Sequence, residues 1–226
     1  MAAPRFPPEA LRFLRALKRN NRRDWFAAHR DDYEQYVRQP MLGIIARLAA
    51  DMRAFAPEIV VDPKSSMYRI YRDVRFSANK APYKTHVAAS FPTRGLQKHE
   101  GGGLYFQVSP GEVWIGGGMY APQPAQLQAV REHIAANPRR LRAIVESPAF
   151  RRELGALDGE RLQRVPRGFP SDHPAAEYLK FRQFLAGHEA APAFASSSRF
   201  YPTLLGVFRR LAPLVRYLNE PLVKQG

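Results

Sequence analysis

Hydrophobic positions repeat with a helical period towards both ends of the chain and with a period of two in its middle. Ala10, Phe13, Leu14 and Leu17 follow an i, i+3, i+4, i+7 spacing, while Arg12, Arg15 and Lys18 fall on the opposite side, which predicts an amphipathic helix. Asn20-Asn21 stops it. Asp24 offers an N-cap to a second helix with Phe26, His29, Tyr33 and Val37 along one side. Pro40 suits the first turn of a third helix carrying Met41, Ile44, Ile45, Leu48, Met52 and Phe55. In the middle, Val87, Ala89 and Phe91 alternate with Ala88 and Ser90, and Leu104, Phe106 and Val108 alternate with Tyr105 and Gln107. Both read as strands. Ser109-Pro110-Gly111-Glu112 has the proline and glycine of a type II turn, and residues 113–115 then return, so a hairpin is expected. The glycines at 101–103 and 116–118 flank it and allow bends or a close approach of backbone.

Helical spacing resumes after Pro124 with Leu127, Val130 and Ile134, then Leu141, Ile144 and Val145, and Pro138 and Pro148 each look like first-turn prolines. Residues 155–172 and 190–198 read as loops, with a helix expected over 175–185. A last apolar stripe runs from Tyr201 through Leu204, Leu205, Phe208, Leu211 and Val215 to Leu218, with Pro213 expected to kink or divide it. Helices, then strands, then helices predict an α+β fold: a mostly antiparallel sheet from the middle of the chain packed with N- and C-terminal helices. One domain over residues 1–226, with a core of about 8–219, is expected.

Composition narrows the class. With 226 residues, 45% hydrophobic and 12% aromatic, the chain can bury a sizeable core. It has no cysteine, which excludes disulfides, thiolate zinc sites and cysteine nucleophiles. The opening residues lack a signal-peptide pattern, and the most apolar stretch, 41–50, is broken by Arg47 and too short to span a bilayer, so a cytoplasmic protein without a membrane partner is expected. The net charge of +15 comes from 35 Lys+Arg, mostly arginine, against 20 Asp+Glu. The excess is spread evenly along the chain, with no basic tail. Such a surface predicts weak, salt-sensitive attraction for nucleic acid rather than a dedicated recognition module.

The densest chemistry lies between residues 68 and 84, where Arg69, Arg72, Asp73, Arg75, Phe76, Lys80 and Tyr83 are spaced as Arg-x-x-Arg-Asp-x-Arg-Phe, three positions, then Lys-x-x-Tyr. In this signature the chain resembles a family of bacterial proteins catalogued as domain of unknown function 2461. Asn20-Asn21 with Trp25-Phe26, Gly118 with Tyr120, and Pro166-Arg167-Gly168-Phe169 add to the resemblance, which runs from about residue 8 to about residue 219. Position 79 is Asp or Asn in the family pattern and Asn here. The resemblance implies no particular activity, substrate or cofactor.

The residues themselves leave the local structure open. As a strand, 69, 71, 73 and 75 share one face, with Tyr68, Ile70, Arg72, Val74 and Phe76 on the other; as a helix, 69, 72, 73 and 76 share a face. The aromatic content favours the strand. Residues four apart lie on the same side either way, so Arg69 and Asp73 are neighbours, at about 13 Å along a strand or about 6 Å along a helix. Four cations beside one carboxylate over residues 69–80, and a fifth at Lys84, form an unbalanced cluster. Guanidinium forks match carboxylate or phosphate oxygens in two parallel bonds. One reading is a site for a small phosphate- or carboxylate-bearing ligand, with Arg69, Arg72, Arg75, Lys80 and Lys84 as cations, Asp73 orienting one arginine, and Tyr83 adding a hydroxyl or a stacking face. The other is a structural salt-bridge network with partners among Asp31, Asp32, Glu34 or Glu100. A basic interaction surface for nucleic acid or an acidic partner is a third.

Weaker signals add little. Asp62-Pro63-Lys64 after an apolar run reads as a turn rather than a nuclease strand end. The glycine triplets lack the pattern of a phosphate-binding loop, and no serine elbow occurs. Of His29, His86, His99, His133, His173 and His188, no pair has metal-ligand spacing; His86 alone is close to the cluster in sequence. Trp25, Phe26, Tyr33 and Tyr36 read as core packing. No metal and no cofactor are expected.

Overall fold

The structure, a computed structural model, describes residues 3–96 and 100–223; His99 lies outside the described residues. Helix α1 spans Pro8–Arg19 and buries Ala10, Leu11, Phe13, Leu14 and Leu17, the predicted face. A nearly continuous helical run follows: α2 (Arg23–Ala28), α3 (Arg30–Asp32), a π-helical stretch Tyr33–Arg38, and α4 (Gln39–Asp51). Asp24 is not its N-cap. Arg22 holds that position without a side-chain bond, and Asp24 sits in the first turn 3.4 Å from the Arg22 guanidinium. There a carboxylate favours the helix through the exposed N–H groups instead. Pro40 occupies the first turn of α4 as expected. Asp62 caps the short α5 (Pro63–Ser66) by accepting from the Lys64 and Ser65 amides, so the Asp-Pro-Lys stretch is a helix start.

Four antiparallel strands, β1 (Val87–Pro92), β2 (Gly103–Val108), β3 (Val113–Met119) and β4 (Phe184–Ala190), form one sheet in the order β1-β2-β3-β4. The β2–β3 hairpin lies where alternation placed it, in the register Val108↔Val113. Its turn is not type II. Gly111 is absent from the glycines with positive φ, and Ser109 closes the loop: its Oγ accepts from the Gly111 and Glu112 amides at 3.1 and 3.0 Å. A short hydroxyl side chain thus supplies the acceptor that turn geometry would otherwise require.

Pro124, Pro138 and Pro148 open α6 (Pro124–Ala136), α7 (Pro138–Val145) and α8 (Pro148–Leu154). The helix expected over 175–185 survives only as α9 (Ala176–Leu179), because from Phe184 the chain enters β4. Gly187 decides that outcome: a Cβ there would meet the Ile115 carbonyl at 2.7 Å, so only glycine permits this close pairing with β3. Residues 192–196, expected as loop, form a 3-10 turn. The last helix, α10 (Phe200–Asn219), runs through Pro213 undivided.

Leu104, Phe106, Val108, Val113 and Ile115 point from the sheet onto α10, with Phe91 and Phe106 rings 5.5 and 6.5 Å from Phe208. Burial of these rings supplies the main cohesion of the core. The opposite face of the sheet carries Ser90, Tyr105, Gln107 and Trp114, all half-buried. No helix among the described residues is long and apolar enough to cross a membrane.

Candidate functional site

The residues of the basic cluster form an arm leading into β1. Residues 67–72 and 82–89 run antiparallel through the bonds Tyr68 N–H to Ala88 O, Lys84 N–H to Ile70 O and Arg72 N–H to Pro82 O. Residues 67–76 are neither the favoured strand nor a helix; two isolated bridges, Met67↔Ala89 and Tyr71↔Tyr83, replace a ladder. Pro82 has no N–H to donate, which interrupts regular pairing. The parity of a strand nonetheless persists: Arg69, Tyr71, Asp73 and Arg75 are exposed, while Ile70, Arg72 and Val74 turn inward.

The base of the arm is fixed by side chains near the N-terminus. Asn21 clamps Tyr83 from both sides, its Oδ1 accepting the Tyr83 N–H at 3.0 Å and its Nδ2 donating to the Tyr83 carbonyl at 2.9 Å. The buried Tyr83 ring stacks on Phe26 with centroids 4.2 Å apart. Arg72 donates to the Ala81 carbonyl at 3.1 Å, which resolves the cost of a cation on the inward side. At the tip, Arg75 forks onto Asp73 (Nε to Oδ1 3.1 Å, Nη2 to Oδ2 2.8 Å), and Lys80 donates to the Val74 carbonyl at 3.1 Å. The Arg75 guanidinium holds the Asp73 carboxyl below its ordinary range. Phe76, placed by strand parity on the inward side, is 96% exposed, with the Arg75 guanidinium 5.9 Å from its ring centre. Of the carboxylates expected as network partners, Glu34 pairs with Arg38.

Lys84 stands apart from these. By parity it shares a side with His86, Ser90 and Pro92, and this side borders a cavity of about 740 Å³ on the open face of the sheet. The floor is Tyr105, Gln107 and Trp114 from β2 and β3. Tyr68, Lys84 and His86 form one wall, and residues 100–103 with Gly118 close the far end. Arg69, Arg72, Asp73, Arg75, Lys80 and Tyr83 do not line it. Among the described residues Lys84 is the only Lys or Arg that does. Its ammonium lies 4.9 Å from the centre of the Tyr68 ring and has neither a carboxylate nor a hydrogen-bond acceptor among the described residues. Burial, and secondarily the Arg69 charge, hold its pKa below the ordinary 10.5. Burial and the Lys84 charge likewise lower His86, so its ring is neutral at pH 7.

On the floor, the Tyr105 hydroxyl donates to Gln107 Oε1 at 2.8 Å, and Gln107 Nε2 donates to Glu112 Oε1 at 2.7 Å. Burial, with Tyr68 and Glu112 nearby, pushes the Tyr105 hydroxyl up to about 12, so it keeps its proton as a donor. The Ser90 hydroxyl is buried with no partner among the described residues. Apart from Lys84 and His86, sequence reasoning passed over these residues. Their only signal was that a tyrosine and an amide held the outward positions of β2, between two glycine runs. Among the described residues no group of three or more His, Cys, Asp or Glu stands where it could hold a metal ion.

A family model described as "Conserved hypothetical protein (DUF2461)" matches residues 9–217, a span that contains the arm, the cavity and nearly all of α10. The chain matches no curated protein.

Proposed function

The chain belongs to this conserved hypothetical family, DUF2461, and we propose that it binds a small phosphate- or carboxylate-bearing ligand in the cavity on the open face of its sheet, with the Lys84 ammonium receiving the anion. One observation carries this reading: a half-buried ammonium with no counter-ion among the described residues faces a cavity large enough for a small molecule. A desolvated, unpaired charge is costly, and a bound anion removes that cost. Sites of this size typically combine apolar walls with a few convergent polar groups, and the Tyr105–Gln107–Glu112 chain supplies such groups. Arg69 strengthens the positive field behind Lys84. Arg72, Asp73 and Tyr83 build the arm that carries Lys84, while Arg75 and Lys80 sit at its tip.

Melting the protein in ribose 5-phosphate tests the reading. A ligand at about ten times its Kd stabilises the folded state by about 1.4 kcal/mol, a rise of roughly 3–6 °C for a chain this long. Lys84→Met is expected to abolish the rise. Because Lys84 must be protonated to receive the anion and its pKa is lowered, affinity falls with rising pH earlier than an ordinary lysine at 10.5 would cause. Arg69→Ala removes a like charge and moves that loss to higher pH. An unchanged rise in Lys84→Met rejects the site.

The arm tip supports a second reading. Arg75 and Lys80 are exposed there with the bare Phe76 ring, and exposed Arg69 and half-exposed Tyr71 lie farther down the arm, an arrangement suited to weak, salt-sensitive contact with nucleic acid.

A further inference from the structure

The sheet row that brings Ser90 and Tyr105 to the cavity continues into two glycines that face each other: the register runs Ser90↔Tyr105, Tyr105↔Gly116 and Gly116↔Gly187. Paired glycines in the middle of a sheet weaken it, since they contribute no side-chain packing and lose the most backbone entropy. Here the gap has an occupant. A Cβ on Gly116 would come within 2.6 Å of Trp114 Cζ2, and one on Gly187 within 2.9 Å of the same atom, so the six-membered ring of the indole lies down over both glycines. Trp114 sits one row away, opposite Gln107, and reaches this position only because neither neighbour carries a side chain. Trp114 also lines the cavity. One side of its ring therefore rests on bare backbone and the other is turned to the ligand space. The Tyr105 ring rises beside it at 52°, 5.7 Å between centres, as a wall rather than a lid.

Resting on the anion reading above, we propose that the ligand is a mononucleotide-like molecule whose planar ring stacks on Trp114 while its anionic group meets Lys84. An indole face is a general platform for flat rings, and stacking is tolerant of ring identity. A row of rings connects the two groups: the Lys84 ammonium lies 4.9 Å from the Tyr68 ring centre, Tyr68 6.3 Å from Tyr105, and Tyr105 5.7 Å from Trp114. Free phosphate meets only the ammonium; engaging both ends takes a planar ring joined to an anionic group through a spacer such as a sugar. The Gln107–Glu112 pair borders the space between them. It offers an acceptor to hydroxyl or amine donors of the ligand's middle.

The test compares AMP and UMP with ribose 5-phosphate, which keeps the anion and lacks the ring. Affinity is read by calorimetry, and Trp114 emission in a Trp25→Phe background, where Trp114 is the remaining tryptophan. At least one nucleotide is expected to bind about tenfold more tightly than ribose 5-phosphate and to quench Trp114 emission. Trp114→Leu removes that advantage, bringing nucleotide affinity down to that of ribose 5-phosphate in the same variant; Trp114→Phe, which keeps a flat ring and guards against misfolding, retains part of it. If ribose 5-phosphate binds as tightly as both nucleotides while Lys84→Met still abolishes binding, the stacking site is wrong and the anion site stands. If no ligand distinguishes the wild type from Lys84→Met, the anion site is wrong, and this inference fails with it.

Discussion

Arg72 and Arg75 lie three residues apart in one arm, yet different physics holds each. Arg75 pairs with Asp73 in solvent, where side-chain entropy and screening offset the attraction. Arg75→Ala is expected to leave the melting temperature unchanged. Arg72 is half-buried and donates to the Ala81 carbonyl; its truncation leaves that acceptor poorly served and costs about 1 kcal/mol. Paired thermal melts of the two variants check this, and a large drop for Arg75→Ala would restore the structural-network reading for the tip. The sequence could not separate the two, because their spacing fits several geometries and only the inward turn of even-numbered positions distinguishes them. Lys84 was legible as part of a basic cluster. Its isolation over the Tyr68 ring was not, since that depends on which side of β1 the arm joins.

At the level of elements, local chemistry was most readable where it acts alone. The α1 stripe, the first-turn prolines of α4, α6, α7 and α8, and the alternation of β2 and β3 each follow from neighbours a few residues away. What escaped depends on distant partners. β4 contains a glycine that favours a strand only opposite Gly116, and the arm is held by Asn21, 62 residues before Tyr83 in sequence. Asn219 is another such tie. At the end of α10 its side chain accepts the Gly102 N–H at 2.6 Å and donates to the Gly102 carbonyl at 2.9 Å and to Thr93 Oγ1 at 2.7 Å, all buried. It thereby anchors the glycine end of the cavity to the helix behind the sheet. Asn219→Ala strands three polar groups at once and is expected to cost about 3 kcal/mol, read as a lower urea midpoint with an unchanged m-value. Faster exchange of the Gly102 amide would locate the loosening. A midpoint within error of the wild type would show that Gly102 is held by the adjoining strand β2 alone.

For the whole molecule, a charge of +15 spread along the chain and a cationic arm tip make different statements about polyanions. Diffuse charge attracts any nucleic acid through counterion release, so affinity falls steeply with salt and ignores sequence. An arm carrying Arg69 along its length and Arg75, Lys80 and Phe76 at its tip instead concentrates the contact on one element, where three phosphates would be met and one base could stack. Titrating labelled single-stranded and duplex oligonucleotides from low salt to about 150 mM, where surface charge is well screened, separates the cases. Binding to the wild type is expected to be weak, indifferent to sequence and largely lost at the upper end. Replacing Arg69, Arg75 and Lys80 together by Gln is expected to flatten the single-strand salt slope by about 2, since each phosphate contact contributes about 0.7. Phe76→Ala is expected to weaken single-strand binding without changing the slope, because stacking releases no counterions. If the triple replacement leaves the slope as it was, the attraction belongs to the diffuse charge and the tip has no special part in it. Tight, sequence-selective binding at 150 mM would instead mark a dedicated nucleic-acid interface, and would make the molecule's surface rather than its cavity the seat of its function.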